Sequence, residues 1–207
     1  MIVLSMPHPK HAAPSHEILD VIRERWSPRA FDPARPIAPG DLKRLFEAAR
    51  WAPSSFNEQP WRFVVADRGR HATAFVALLD TLEPVNRQWA QRAPVLVLVA
   101  VTLTLQRTGQ VNPIAWYDVG QAVGFLMLQA TGLGLGIRQM EGFDHERARH
   151  VCEIPPAFEP GVMMAIGYAG EPELLPTEKD RAGELQPRRR APISEFVFEG
   201  TWGAGLT

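Results

Sequence analysis

At 207 residues the chain is somewhat long for one average domain and short for two, so a single compact domain with a peripheral extension is expected. The 22 basic and 23 acidic side chains leave a net charge of -1, so nothing global attracts nucleic acid or a membrane surface, and any anion site must be a local cluster. No apolar run reaches the roughly 20 residues of a membrane span, and the lone Cys152 excludes an intrachain disulfide or thiolate-rich metal centre and fits a reducing, cytoplasmic location.

Residues 1–15, opening on Met1-Ile2-Val3-Leu4-Ser5-Met6, lack the basic start of a signal peptide and read as a flexible N-terminal arm. Ser15 is the expected N-cap of a first helix carrying Ile18, Leu19, Ile22 and Trp26 at helical spacing and ending near Arg25. A second helix starts near Pro39-Gly40-Asp41, with Leu42, Leu45, Phe46 and Ala49 on one face, and stops near Trp51 before Pro53. Arg62–Ala66 reads as a strand and Pro94–Val101 as a buried central strand, with two short helices near 70–80 and 85–92 between them.

The longest helix is expected over about Ile114–Thr131, apolar nearly all round and therefore buried in the core or between subunits. A strand near 136–140, a helix near 144–152 and a last strand over Val162–Tyr168 complete an α+β pattern. Residues 16–170 thus form the expected domain. The tail over 171–207 reads as extended.

Four stretches concentrate chemistry. Arg25-Trp26-Ser27-Pro28-Arg29 sets two guanidinium forks and a hydroxyl within five residues, which suits phosphate but equally fits a solvated helix end. Ala52–Trp61 crowds Ser54, Ser55, Asn57 and Gln59 between a helix and a strand: donors and acceptors for a planar heterocycle, with Pro53 against its face, or merely Asx and Ser turns. It lacks the Gly-x-Ser-x-Gly elbow of a serine nucleophile, so a hydrolase using Ser54 or Ser55 is a distant rival.

In the third stretch, Gly132-Leu133-Gly134-Leu135-Gly136 follows a helix instead of opening one. That order is wrong for a dinucleotide fingerprint and right for a helix C-cap with close-packed entry to a strand. Just after it, Gly142 in Gln139-Met140-Glu141-Gly142-Phe143 is expected to give the backbone freedom to present amides. Fourth, Arg188-Arg189-Arg190 alone is a solvated basic run. His145 and His150 lie on different helix faces and no His-Glu-x-x-His occurs, so no metal is expected.

In order, Arg25-Trp-Ser27-Pro-Arg29-Ala-Phe31, Glu47–Arg50, Pro53-Ser54-Ser55-Phe-Asn57-Glu-Gln59-Pro60-Trp61, Glu141-Gly142-Phe143 and Ile166-Gly167-Tyr168 resemble the nitroreductase family of FMN-dependent flavoproteins, over roughly 16–195. The resemblance implies a three-layer α+β fold with a central mixed, mainly antiparallel sheet, and a homodimer with two FMN molecules at an interface built on the long helix. Arg25, with the adjoining Trp26, and Ser27 would meet the phosphate and ribityl chain, Arg29 the pyrimidine end, and Arg188 with Arg190 the same phosphate. Pro53, Ser54, Ser55 and Asn57 would come from the other subunit, Asn86 would reach the pyrimidine edge, and backbone at Met140, Glu141 and Gly142 would lie near N5 and O4.

The implied reaction passes hydride from NADH or NADPH through the flavin to a small electron-poor acceptor in a ping-pong cycle. Trp116, Tyr117 and Phe125 either line the acceptor pocket or belong to the core. Residues 1–15 and 102–117 have no counterpart in the family pattern. Alternatives within the same fold are an FMN-storing or sensing protein without turnover, and relatives performing reductive dehalogenation or flavin cleavage.

Overall fold

The computed structural model describes residues 8–206, so the apolar opening of the arm lies outside the described residues. Four strands form one sheet in the order β1-β2-β4-β3: β1 (Trp61–Asp67), β2 (Val95–Thr102), β3 (Leu135–Met140) and β4 (Phe158–Tyr168). Every pairing among them is antiparallel, so the parallel element expected of a mixed sheet is not found among the described residues.

β2 is buried along its whole length because both faces of the sheet are covered. Val95, Val97, Val99 and Val101 face a core shared with α2 (Pro39–Arg50) and α5 (Ala115–Gly132). Leu96, Leu98 and Ala100 face the opposite core, shared with α3 (Ala72–Leu79), α4 (Pro84–Ala90) and α6 (His145–Val151). The result is three layers. No helix among the described residues is long and apolar enough to cross a membrane.

Four sequence expectations change. The first helix is only α1 (Asp20–Glu24); it starts after Leu19 with no side-chain cap, so Ser15 does not cap it. Ile18, Leu19 and Ile22 are exposed, and without a core surface to cover, five residues are all that form. Trp26 lies beyond the helix.

β4 starts at Phe158 and not at Val162. Pro160 and Gly161 look like punctuation in the sequence, but a bulge opposite Val99 and Ala100 absorbs them, with Pro160 pairing to Ala100 and Val162 to Val99. The ring of Trp116 occupies the space where a Cβ at residue 161 would stand, which is why Gly161 fits.

α5 buries Val119, Ala122, Val123, Leu126 and Ala130, but Trp116, Tyr117 and Phe125 are 44%, 70% and 43% exposed. The helix is therefore not buried all round within this chain, and those aromatics are not core residues. Its end bears out the C-cap reading: Gly134 has φ +72° and its N–H donates to the Thr131 carbonyl at 2.9 Å. Finally, the tail contains a further helix, α7 (Glu178–Leu185), capped by Thr177.

Candidate functional site

The end of α1 hands the chain to Arg25, whose Nη1 donates to Ser27 Oγ at 3.0 Å. Arg188, 163 positions later, donates from Nη1 to the Arg25 carbonyl at 2.6 Å and from Nη2 to the Arg23 carbonyl at 2.9 Å. The two basic stretches at opposite ends of the sequence are therefore one cluster. Burial, then the charges of Arg188 and Arg190, push the Arg25 guanidinium below its ordinary value. Burial and Arg190 do the same to Arg188.

Among the described residues no carboxylate stands within 4.0 Å of Arg25, Arg188 or Arg190. The Arg188 Nε is buried with no hydrogen-bond partner. Partly desolvated cations that repel one another and leave a donor unpaired are stabilised by an anion, and the described residues place no carboxylate in contact with them. The donor set fits a phosphate.

The turn between Ser27 and Ala30 is held from both sides by residues that sequence reasoning missed. Glu184, on α7 and only 2% exposed, accepts from the backbone N–H of Arg29 at 2.7 Å and of Ala30 at 2.9 Å. Arg138 of β3 donates to the Ser27 carbonyl at 2.8 Å and sits over the Trp89 ring. Burial, with Arg29 nearby, brings the Arg138 guanidinium down to about 10, so it is still charged at neutral pH. Pro28 packs against Gly136, where a Cβ would collide with its ring. The only sequence signal for Glu184 was an acidic residue in a tail otherwise read as extended.

The Pro53–Gln59 loop carries backbone strain. Phe56, Asn57 and Gln59 have φ of 51°, 57° and 46°, left-handed values that cost non-glycine residues of order 1 kcal/mol each. Asp118 on α5, 2% exposed, accepts from the Ser55 N–H at 3.0 Å, and Ser54 Oγ accepts from the Gln59 N–H at 3.1 Å. Buried Glu58 accepts from the Gln106 N–H at 2.7 Å, and Arg107 lies 4.0 Å over the exposed Phe56 ring. The unplaced 102–117 stretch thus braces this loop. The only sequence signal for Asp118 is that it is the one acid of an otherwise apolar helix.

The loop and the arginine cluster are not brought together within one chain. Asp118 holds the loop near the start of α5, whereas a cavity of about 160 Å³ beside Trp26 is lined by Thr131, Gly134 and Gly136 at its far end. Residues 118–131 of a helix span about 20 Å.

Asn86 does meet the 140–142 stretch: its Nδ2 and the Glu83 N–H both donate to the Gly142 carbonyl, at 3.2 and 3.0 Å. Gly142 is there for close approach, since a Cβ would collide with Glu83 and Asn86, and its φ is not left-handed. Met140 is in the core, 4% exposed, while Glu141 is exposed.

A family model described as the nitroreductase family matches residues 22–168. The chain belongs to the nitroreductase family. A "NADH dehydrogenase" of Thermus thermophilus is 29% identical over 195 residues, covering 79% of this chain and 86% of that protein. A "5,6-dimethylbenzimidazole synthase" of Rhodospirillum rubrum is 28% identical over 179 residues, covering 76% and 84%. A solved structure described as an oxidoreductase containing FMN superposes with a TM-score of 0.85 at 29% identity, over 96% of this chain and 98% of that one. In this member of the nitroreductase family, Glu184, Arg188 and Arg190 lie beyond the matched stretch, as do His8 and Lys10 before it.

Proposed function

We propose that the protein binds FMN as a homodimer and uses it to transfer hydride from NADH or NADPH to small electron-poor acceptors such as nitroaromatics or quinones. The observation that carries this reading is the unpaired Arg25, Arg188 and Arg190 cluster with its orphaned Nε, set in the fold of this family. When bound, the flavin ring supplies reversible hydride acceptance, taking hydride from the nicotinamide and giving it to the acceptor in alternating half-reactions.

The chain's own residues position and polarise. Arg25, Arg188 and Arg190 neutralise the phosphate and Ser27 hydrogen-bonds it, while Arg29, fixed by Glu184 at its backbone, puts positive charge at the pyrimidine end. Asn86 fixes the Gly142 carbonyl and with it the neighbouring amides. A strained loop braced by Asp118 and Glu58 does not relax to suit a ligand, and this preorganises Pro53, Ser54, Ser55 and Asn57. Because that loop is held near the start of α5 and the cavity beside Trp26 lies at its far end, a complete site needs the loop of a second copy, and exposed Tyr117, Trp116 and Phe125 on α5 supply apolar area for the contact.

Purified protein is expected to be yellow, or to become so with FMN, and to bleach anaerobically on adding NADH or NADPH. A colourless protein that FMN does not reconstitute would refute the proposal. The likeness to the benzimidazole synthase supports a second reading, flavin cleavage. Under air, a product with the mass of 5,6-dimethylbenzimidazole would favour it, whereas intact FMN after many turnovers favours hydride transfer.

A further inference from the structure

The N-terminal arm precedes the matched family stretch, and its described part is fastened to the cationic cluster. The Ala12 N–H donates at 2.8 Å to the Arg23 carbonyl, the same oxygen that accepts from Arg188 Nη2. The start of the chain and its tail thus meet on one carbonyl, two residues before Arg25. His8 stacks on Trp26 with ring centroids 4.6 Å apart and planes within 21°. Between these anchors His8 Nδ1 accepts from the Lys10 N–H at 3.1 Å, and the His11 N–H donates to the His8 carbonyl at 2.8 Å, closing a compact turn with Lys10 inside it.

That turn sets Lys10 between two anchors of the cationic cluster, His8 on Trp26 and Ala12 on the Arg23 carbonyl that Arg188 also binds. Burial lowers its pKa, Glu184, the largest of the neighbouring charges, raises it, and Arg29, Arg138 and Arg188 lower it as like charges. Glu184 spends Oε1 on the Arg29 and Ala30 amides, and among the described residues no carboxylate lies within 4.0 Å of Lys10. A flexible lysine free to leave such company gains by doing so. Its backbone is instead tied down where its charge is repelled, an arrangement that an anion beside the cluster makes favourable.

We propose that the arm is a strap over the phosphate side of the site and that Lys10 is a further phosphate-binding residue, seated by the His8–Trp26 stack. This rests on the reading of the cluster as a flavin phosphate site. Full-length protein stripped of flavin is titrated with FMN and with riboflavin, which lacks the phosphate, and Kd is read from flavin fluorescence. Lys10→Ala is expected to weaken FMN about threefold to fivefold and Lys10→Glu roughly tenfold or more, with riboflavin changed less than about twofold.

His8→Ala, which unseats the strap but removes no formal charge at neutral pH, is expected to give a smaller loss with the same selectivity. Equal FMN affinity in wild type and Lys10→Ala, or equal weakening of both flavins, would overturn the role of Lys10 while leaving the FMN site intact. Wild-type protein that binds FMN no better than riboflavin would instead overturn the phosphate site itself, and Lys10 with it.

Discussion

Replacing Arg188 with alanine isolates the contribution of the tail to ligand affinity. The side chain makes two charge-assisted bonds to the Arg25 and Arg23 carbonyls, at 2.6 and 2.9 Å, and leaves a buried Nε for the ligand. A hydrogen bond to a charged group contributes about 1.5–3 kcal/mol. On the proposed reading of the cluster as an FMN phosphate site, truncation removes one charge-assisted contact to the phosphate and lets the Arg25 segment loosen, so about 2 kcal/mol, or roughly thirtyfold in Kd for FMN, is expected. Riboflavin separates the two effects, because loosening alone acts on both flavins and loss of the phosphate contact acts on FMN only. Equilibrium titration of flavin-free Arg188→Ala with both ligands is the assay. A Kd for FMN within about twofold of wild type, or a riboflavin loss as large as that for FMN, would refute the assignment.

Three further outcomes follow from the same geometry. Glu184→Ala orphans the Arg29 and Ala30 amides and should lower stability in urea by about 2–6 kcal/mol, at about 1–3 kcal/mol per unpaired group, whereas Glu184→Gln keeps an acceptor and should recover most of the loss. Gly161→Ala drives a methyl into the Trp116 ring and should cost about 1–3 kcal/mol, with a change in tryptophan fluorescence as the ring is displaced. His8 has its pKa lowered, first by burial and then by His11 and Lys10, with Glu184 opposing. The docked arm therefore favours the neutral ring: its contribution to stability is fully present above the ordinary histidine pKa and is lost as the pH falls through that value to the lower folded one. Quenching of Trp26 by His8 should accordingly change as the pH falls below the ordinary histidine value in wild type and stay flat in His8→Ala.

The layers were legible because they rest on periodicity. β2 was an unbroken apolar run and α2 a clean stripe, and their observed limits fall within a residue or two of those expected. What was not legible depended on partners distant in sequence. α1 was overestimated because its apolar spacing exists but its stripe meets solvent in this chain. β4 was cut short because a bulge turns Pro160-Gly161 from a stop signal into part of a strand.

At the site, the motif residues Arg25, Ser27 and Arg188 could be read from their order. Glu184, Arg138 and Asp118 could not, since each acts on the backbone of another segment and an acceptor for an amide leaves no motif. Gly142 was picked out for the wrong reason: crowding by Glu83 and Asn86 requires glycine there, not its φ.

The anion cluster joins Arg25, inside the matched family stretch, to residues that lie outside it. Residues 22–168 contain the sheet, the strained loop and Arg25. Glu184 and Arg188, which fix the Ser27–Ala30 turn and the Arg23 and Arg25 carbonyls, arrive on a tail that packs through α7, and Lys10 arrives on the arm. With a net charge of -1 the chain has no excess of cations to spread; it assembles them at one place by bringing the described part of the arm and the Arg188 segment of the tail together on the Arg23 carbonyl. Without an anion the assembled cluster is self-repelling, so order in the two termini and occupancy of the site are linked, and by that linkage whatever stabilises one must stabilise the other by the same free energy.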